Sequence, residues 1–159
     1  MFGMADTDPT GGLWNWAAQS SLSGDRVHGA LAGALERTVV PLGPVPVDGA
    51  VLCDVYQVGG DFPTLIDVYL APETIAESTA ASAVAVRLET KIMLPDDTLD
   101  PTRYVLAGPD GSLRPVHVDE AETDEGPERR RVRPCTGADS GCAGSRFKPV
   151  SDPGRSAAA

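Results

Sequence analysis

A repeated acid-and-tyrosine motif is the arrangement in this sequence most suited to recognition chemistry. The tripeptide Asp-Val-Tyr occurs at 54–56 and again at 67–69, and a Gly-Gly-Asp turn separates the two copies. Side chains alternate along a strand, so joining the apolar faces of two paired strands into one core fixes which residues stand opposite one another. This parity places Asp54 opposite or diagonal to Asp67, with Tyr56 and Tyr69 nearby.

The surface that carries Asp54, Tyr56, Asp67 and Tyr69 is predicted to bind a protein partner. Tyrosine is a favoured anchor of interfaces, and carboxylates steer the approach of a basic surface. An ordinary solvated sheet face is the alternative interpretation. A metal or acid–base site would need a third ligand in the same cleft, and the sequence shows none. We therefore predict no catalytic residue, no bound metal and no cofactor.

Two other groups of residues have a weaker resemblance to metal sites. Asp96, Asp97 and Asp100 lie on one loop, but the loop has no glycine hinge and no trailing bidentate glutamate of the kind calcium loops use. Asx turns and helix caps use aspartate in the same way. Cys135 and Cys142 supply only two of the four ligands that structural zinc takes. A metal site shared across a dimer and a redox pair both stay open for these cysteines.

The remaining nucleophiles and bases do not form an enzyme signature. His28 and His117 are isolated, with no serine or cysteine partner at a recognisable spacing. Cys53 falls on the predicted core face of a strand, where cysteine is usually a small hydrophobe. There is no glycine-rich phosphate loop and no dinucleotide fingerprint. We predict that the protein is not an enzyme.

Net charge limits the classes of partner. The formal charge is −10, which argues against nucleic acid or an anionic membrane as the main partner and suits a protein with a basic surface. The basic cluster at 129–133 directly follows an acidic block at 119–128, which would screen or pair with it. An odd number of cysteines, no secretory signal at 1–10 and no long apolar run predict a cytoplasmic location.

The elements that position the motif follow from periodicity. Ser23-Gly24-Asp25 begins an amphipathic helix at 25–37, and an alanine-rich helix follows Pro72 at 73–89. For residues 13–18, which contain Trp14 and Trp16, a short helix or an edge strand would both fit. The predicted strands are 50–57, 64–70, 91–94, 103–107 and 113–118.

These elements predict an α+β fold in which two helices pack on one mainly antiparallel sheet of about five strands, in the order α-β-β-α-β-β-β. The predicted domain organisation is a flexible leader at 1–12, a single α+β domain at 13–119, and a disordered acidic and basic tail at 120–159. The tail is rich in proline and glycine and has too little apolar surface to offset its ordering entropy.

A stretch in the second half of the domain resembles a known class of proteins. It comprises 94–101 (LPDDTLDP), 104–106 (YVL), 108–111 (GPDG) and 114–116 (RPV). It is similar to small acidic proteins of actinomycete-type bacteria with GC-rich genomes, some of which look like immunity proteins of polymorphic toxin systems. The resemblance spans residues 50–126 and implies a protein that binds and blocks one toxin, often a basic nuclease. It assigns a role to no individual residue.

We therefore expect a non-enzymatic binding protein of the immunity type that occludes a basic toxin or nuclease. The second hypothesis is a structural or regulatory accessory protein that docks into a larger assembly through its termini or through Trp14 and Trp16. The third is a small metal-dependent enzyme.

Overall fold

A computed structural model describes residues 12–43, 49–96 and 103–135 of the chain. These residues form two α-helices and eight β-strands. In chain order they are β1 (Trp14–Ala18), α1 (Gly24–Leu35), β2 (Val39–Pro41), β3 (Val51–Gln57), β4 (Thr64–Tyr69), α2 (Glu77–Leu88), β5 (Ile92–Pro95), β6 (Arg103–Ala107), β7 (Leu113–Thr123) and β8 (Gly126–Pro134).

All eight strands belong to one mixed sheet, ordered β2-β3-β4-β1-β5-β6-β7-β8. The β2–β3 pair is parallel, and the other neighbouring pairs are antiparallel. The predicted fold class, about five strands in the order α-β-β-α-β-β-β, is therefore wrong. The two helices and five of the strands are present, but β1, β2 and β8 enlarge the sheet and change its order.

Strand β1 lies at the centre of the sheet, between β4 and β5. Trp14 and Trp16 point to the same face, and their rings stack with centroids 5.4 Å apart. Trp16 Nε1 also donates to Glu77 Oε2 of α2 at 3.0 Å. The tryptophans are only 8% and 2% exposed, so they are core residues and do not form a docking surface. The segment is neither a short helix nor an edge strand, because it is a strand that pairs with β4 on one side and β5 on the other.

The two helices cover the first face of the sheet. Ser23 Oγ accepts the backbone N–H of Arg26 at 3.2 Å, which caps α1 where the sequence predicts its start. Glu36 and Glu89, both at φ 55°, end the two helices in the left-handed conformation. The first core comprises helix residues Val27, Leu31, Leu35, Ala81, Val84, Ala85 and Leu88, and strand residues including Cys53, Ile66, Val68 and Ile92.

The β7–β8 hairpin curves over the second face of the sheet. A β-bulge interrupts the β7–β8 ladder between His117 and Asp119, and Arg131 on the bulged strand has a φ of 60°. Beyond the bulge, β8 meets the turn between β3 and β4. There the backbone N–H of Asp61 donates to the carbonyl of Arg129 at 2.7 Å, and the backbone N–H of Arg131 donates to Asp61 Oδ2 at 3.0 Å. This closes a second core, formed by Ala17, Val58, Phe62, Leu65, Met93, Leu106, Val116 and Val118.

The acidic and basic blocks at the start of the predicted tail pair with each other in this hairpin. Arg129 Nε lies 3.3 Å from Glu120 Oε1, and Arg133 Nη1 lies 3.2 Å from Asp119 Oδ1. The prediction of disorder from residue 120 is therefore wrong as far as 134, because complementary charges in register make two polar segments into a hairpin. Residues 1–11 of the predicted leader and 136–159 of the predicted tail lie outside the described part of the chain.

Candidate docking face

The second face of the sheet is divided between a part that the hairpin covers and a part that it leaves open. At the hairpin tip, a methyl group on Gly126 would stand 3.2 to 3.4 Å from side-chain atoms of Val58, Leu65 and Tyr56, so the tip lies directly on these residues. The rest of the face, on β2, β3, β4 and β1, has no described segment over it. We define this part, the open face, by the residues Leu13, Asn15, Val40, Leu52, Asp54, Asp67 and Tyr69.

An acidic row crosses the open face. Asp54 of β3 is the register partner of Asp67 of β4, as the parity argument predicts, and Asp67 is in turn the partner of Asn15 on β1. Asn15 Nδ2 donates to Asp67 Oδ1 at 2.8 Å. Directly opposed cross-strand residues have Cβ atoms about 5 Å apart, so two carboxylates stand side by side at an energetic cost of a few tenths of a kcal/mol.

An apolar row runs parallel to the acidic row. The register places Val40 beside Leu52, and Leu52 beside Tyr69. Continued by one residue, the β1–β4 register places Leu13 beside Tyr69. Leu13 is 45% exposed and the other three residues are half-buried. Two residues along each strand separate the rows, which is about 6.7 Å.

The two tyrosines of the motif lie on opposite sides of the acidic row. Tyr56 is on the covered side, where it packs against the second core, and Tyr69 is on the open side. Burial raises the pKa of Tyr56, and Asp67 raises it further through its charge and a hydrogen bond, with a smaller contribution from Asp54. Burial also raises the pKa of Tyr69, with further contributions from Asp67 and Asp54. The structure thus brings all four predicted residues together.

Asp54 is the unsatisfied member of the acidic row. Asp67 accepts a hydrogen bond from Asn15. Within the described ranges, neither a hydrogen bond nor an ion pair engages the carboxylate of Asp54, and no lysine or arginine pairs with either aspartate. The open face therefore presents two neighbouring negative charges to solvent with no cation of this part of the chain to balance them.

The apolar row is the part of the site that sequence reasoning missed. Leu52 and Tyr69 were visible as strand residues, but Val40 and Leu13 join the row only through β2 and β1, which were not predicted as neighbours. The alternation of Leu13 and Asn15 against the two tryptophans was the available signal. It has a period of two over 13–16, which is typical of a strand.

Asp96, the first of the three aspartates considered as metal ligands on one loop, forms an ion pair with Arg103. Asp96 Oδ2 lies 2.6 Å from Arg103 Nε, and both side chains are almost fully buried. Asp97 and Asp100 lie outside the described residues. Across 12–43, 49–96 and 103–135, no group of three or more histidine, cysteine, aspartate or glutamate side chains is arranged to hold a metal ion.

The structure places His28 on α1, His117 on β7, Cys53 on β3 and Cys135 directly after β8. His28 Nε2 lies 3.2 Å from the backbone carbonyl of Cys53, and His117 is buried within β7 at 1% exposure. Burial, with smaller contributions from Asp54 and Asp67, raises the pKa of the Cys53 thiol to about 12, so this sulfur is a poor nucleophile. Cys135 is half-buried, and Cys142 lies outside the described residues.

A cleft of about 300 Å³ lies on the far side of the second face from the acidic row. Lys91 and Arg114 contribute its positive charges, while Asp110 contributes a carboxylate that already accepts from the Ser112 hydroxyl at 2.7 Å. Neither histidine nor cysteine is among the described residues that line it. Asp110 Oδ1 also accepts the backbone N–H of Ser112 at 3.0 Å, so this carboxylate holds the turn between β6 and β7.

Comparisons with known proteins give no identification. No family model, no curated protein and no solved structure matches this chain. In the part of the chain that the structure describes, neither helix is long and apolar enough to cross a membrane.

Proposed function

We propose that this protein works by binding, and that the open face docks a protein partner with a basic surface. The observation that carries the proposal is the pair Asp54 and Asp67, which lies beside an apolar row and has no cation of the described chain opposite it. An apolar strip bordered by charge is the usual anatomy of a specific interface, in which the strip contributes affinity and the charges contribute steering and register.

Electrostatics favour a basic partner over a second copy of this chain. Two copies packed through the open face would bring Asp54 and Asp67 against the same residues of the other copy, and the chain as a whole carries a charge of −10. Opposed like charges are destabilising. A cationic side chain of a different protein would relieve the repulsion within the pair and would satisfy Asp54.

The role we propose for this binding is of the immunity type, in which the protein occludes a basic toxin or nuclease. Three features support it: the acidic charge, the motif that presents tyrosine beside carboxylate, and the resemblance over residues 50–126. The accessory-protein hypothesis loses its Trp14 and Trp16 surface, because both side chains are buried. It now rests on residues 1–11 and 136–159. No observation on the described residues favours a metal-dependent enzyme.

The test of this proposal is capture of a partner followed by reconstitution. The full-length chain and the double variant Asp54→Asn/Asp67→Asn would be used to capture proteins from the native host. A captured protein would then be purified and its affinity measured for both forms. A matched control is Glu36→Gln/Glu89→Gln, which removes the same charge at two exposed helix ends on the other side of the sheet.

We expect a basic partner whose affinity falls about tenfold or more, equivalent to ~1.4 kcal/mol, with the double variant, and hardly at all with the control. The association rate should fall as salt is added. A purified partner that binds the double variant as tightly as the native chain would refute the open face as its site. Such a result would favour docking through the termini.

A further inference from the structure

The open face also constrains the shape of what binds it, and we infer that its occupant is an amphipathic helix flanked by arginine or lysine. This inference rests on the proposed function and adds the secondary structure and orientation of the partner's binding segment. It follows from three observations. The backbones of the strands are already paired, the row across the strands is apolar, and the length and spacing of the two rows are set by the sheet.

Backbone pairing excludes strand addition as the binding mode. Strands β3, β4 and β1 are interior strands with neighbours on both sides, so their N–H and C=O groups are already engaged. The nearest edge is β2, whose three residues end at Pro41, and proline has no N–H to donate. A partner must therefore recognise the open face through side chains alone.

The apolar row selects a helix over an extended segment. An extended chain lying on Val40, Leu52, Tyr69 and Leu13 would bury its own N–H and C=O groups against apolar side chains, where each unsatisfied group weakens binding. A helix satisfies its backbone internally and buries only side chains. The helices α1 and α2 already cover the first face of the same sheet in this way.

The dimensions of the rows set the length and polarity of that helix. Four neighbouring strands span three inter-strand steps of about 4.8 Å, so the apolar row is about 14 Å long. At about 1.5 Å per residue this corresponds to roughly ten residues, or nearly three turns, lying across the strands. The acidic row is about 6.7 Å to one side, within reach of an arginine or lysine on the flank of the apolar stripe. The cation would then meet Asp54 and Asp67 on one side of the helix only.

The probe for this inference is a synthetic peptide of about 15 residues whose helix is held by a lactam bridge on its solvent side. It carries leucine along one face and arginine along one flank. Two matched peptides isolate the two claims. In one, citrulline replaces arginine, which removes charge and keeps shape. In the other, two D-residues break the helix while composition and charge stay the same.

The measurement is the change in amide chemical shifts of the full-length, isotope-labelled protein as each peptide is added. We expect the bridged arginine peptide to bind with a Kd of about 0.1 to 1 mM and to shift residues of the open face, Leu52, Asp54, Asp67 and Tyr69 among them. Citrulline or a broken helix should each weaken binding about tenfold. The variant Asp54→Asn/Asp67→Asn should bind the arginine and citrulline peptides alike, whereas Glu36→Gln/Glu89→Gln should behave like the native chain.

The outcomes separate this inference from the proposal on which it rests. Equal binding of the bridged and broken peptides, shifts outside the open face, or no shifts at about 1 mM peptide would overturn the helical occupant. If the captured natural partner still lost affinity with Asp54→Asn/Asp67→Asn, the docking function would stand and only the helix would be wrong. If the natural partner bound that variant as tightly as the native chain, the docking function itself would be refuted.

Discussion

The closure of the hairpin over the second face can be tested at a single glycine. Gly60, in the turn between β3 and β4, has a φ of 91°, and a Cβ added there would lie 2.8 Å from the carbonyl oxygen and 3.0 Å from the nitrogen of Arg129. Both atoms are backbone atoms of β8, so they cannot rotate away. Gly60→Ala should therefore push the hairpin off the turn.

The magnitude follows from two separable costs. An L-residue in a left-handed conformation costs about 1 to 2 kcal/mol. Displacing the hairpin would also break the hydrogen bond from Asp61 N–H to the Arg129 carbonyl, at about 1 kcal/mol, and would loosen the cover over Val58 and Leu65. The lower backbone entropy of the unfolded alanine chain returns roughly 0.4 to 1 kcal/mol. We expect a net loss of about 1 to 3 kcal/mol in the free energy of unfolding.

Two other glycines supply matched controls. Gly111, at φ 86°, has nothing within 4 Å of an added Cβ, so Gly111→Ala carries the strain without the clash. Gly59 has no positive φ, and its added Cβ would meet only the end of the Glu128 side chain at 2.7 Å, which can rotate away. We expect a loss of about 1 kcal/mol for Gly111→Ala and less than about 0.5 kcal/mol for Gly59→Ala.

The assay is urea unfolding followed by the fluorescence of the two buried tryptophans. The informative quantity is the difference between Gly60→Ala and Gly111→Ala, which we expect to be about 1 to 2 kcal/mol. If Gly60→Ala lost no more stability than Gly111→Ala, the backbone of β8 would not approach the turn in solution. The division of the second face into covered and open parts would then have to be abandoned.

Three further predictions concern titration and reactivity. Tyr56 should ionise above its ordinary pKa of 10.0, and Asp67→Asn should lower that pKa, because the aspartate contributes to the shift through both its charge and a hydrogen bond. Phenolate absorbance during an alkaline titration measures the pKa in the native chain and in the variant, and an unchanged titration in the variant would contradict the contact. Cys53 should resist a thiol reagent at about pH 8 in the native protein and react fully in urea, because burial raises the pKa of its thiol to about 12. Rapid labelling of Cys53 in the native protein would contradict its burial. Hydrogen bonds from Arg131 and Arg133 lower the pKa of Asp119 from 3.8, so stabilisation of the hairpin by these pairs should be present above pH 3.8 and lost as the pH falls below it. The chemical shift of the Arg131 side-chain Nε–H group, which donates to Asp119 Oδ2, reports this change against pH, and Asp119→Asn should abolish it.

Local rules predicted the centre of the candidate site. The pairing of Asp54 with Asp67 follows from side-chain alternation and the requirement for one shared core, both of which act within a single hairpin. The start of α1 follows from Ser23, whose cap depends on the nearby backbone N–H of Arg26. These predictions needed no knowledge of distant contacts, and the structure confirms them.

The predictions that were wrong concern residues whose structural partners lie far away in the sequence. Leu13 contributes to the open face only because β1 pairs with β4, which follows much later in the chain. The segment at 120–134 looked too polar to order, yet its glutamates and arginines pair across one hairpin, and Gly60 and Asp61 hold β8 in place from the far earlier β3–β4 turn. The amino-acid composition of such a segment describes that segment alone, so it does not reveal the distant residues that order it.

The central position of β1 has a consequence for the order in which the chain assembles during synthesis. β1 is the first of the described strands to leave the ribosome, but its neighbour β4 appears only after α1, β2 and β3, and β5 only after α2. Until then, Trp14 and Trp16 have no core to enter, and the nascent chain carries an aromatic strand with two unpaired edges. Long-range pairing of this kind slows folding and exposes intermediates to aggregation. We therefore expect the yield of folded protein to depend on the time that passes between the synthesis of β1 and the synthesis of β4 and β5.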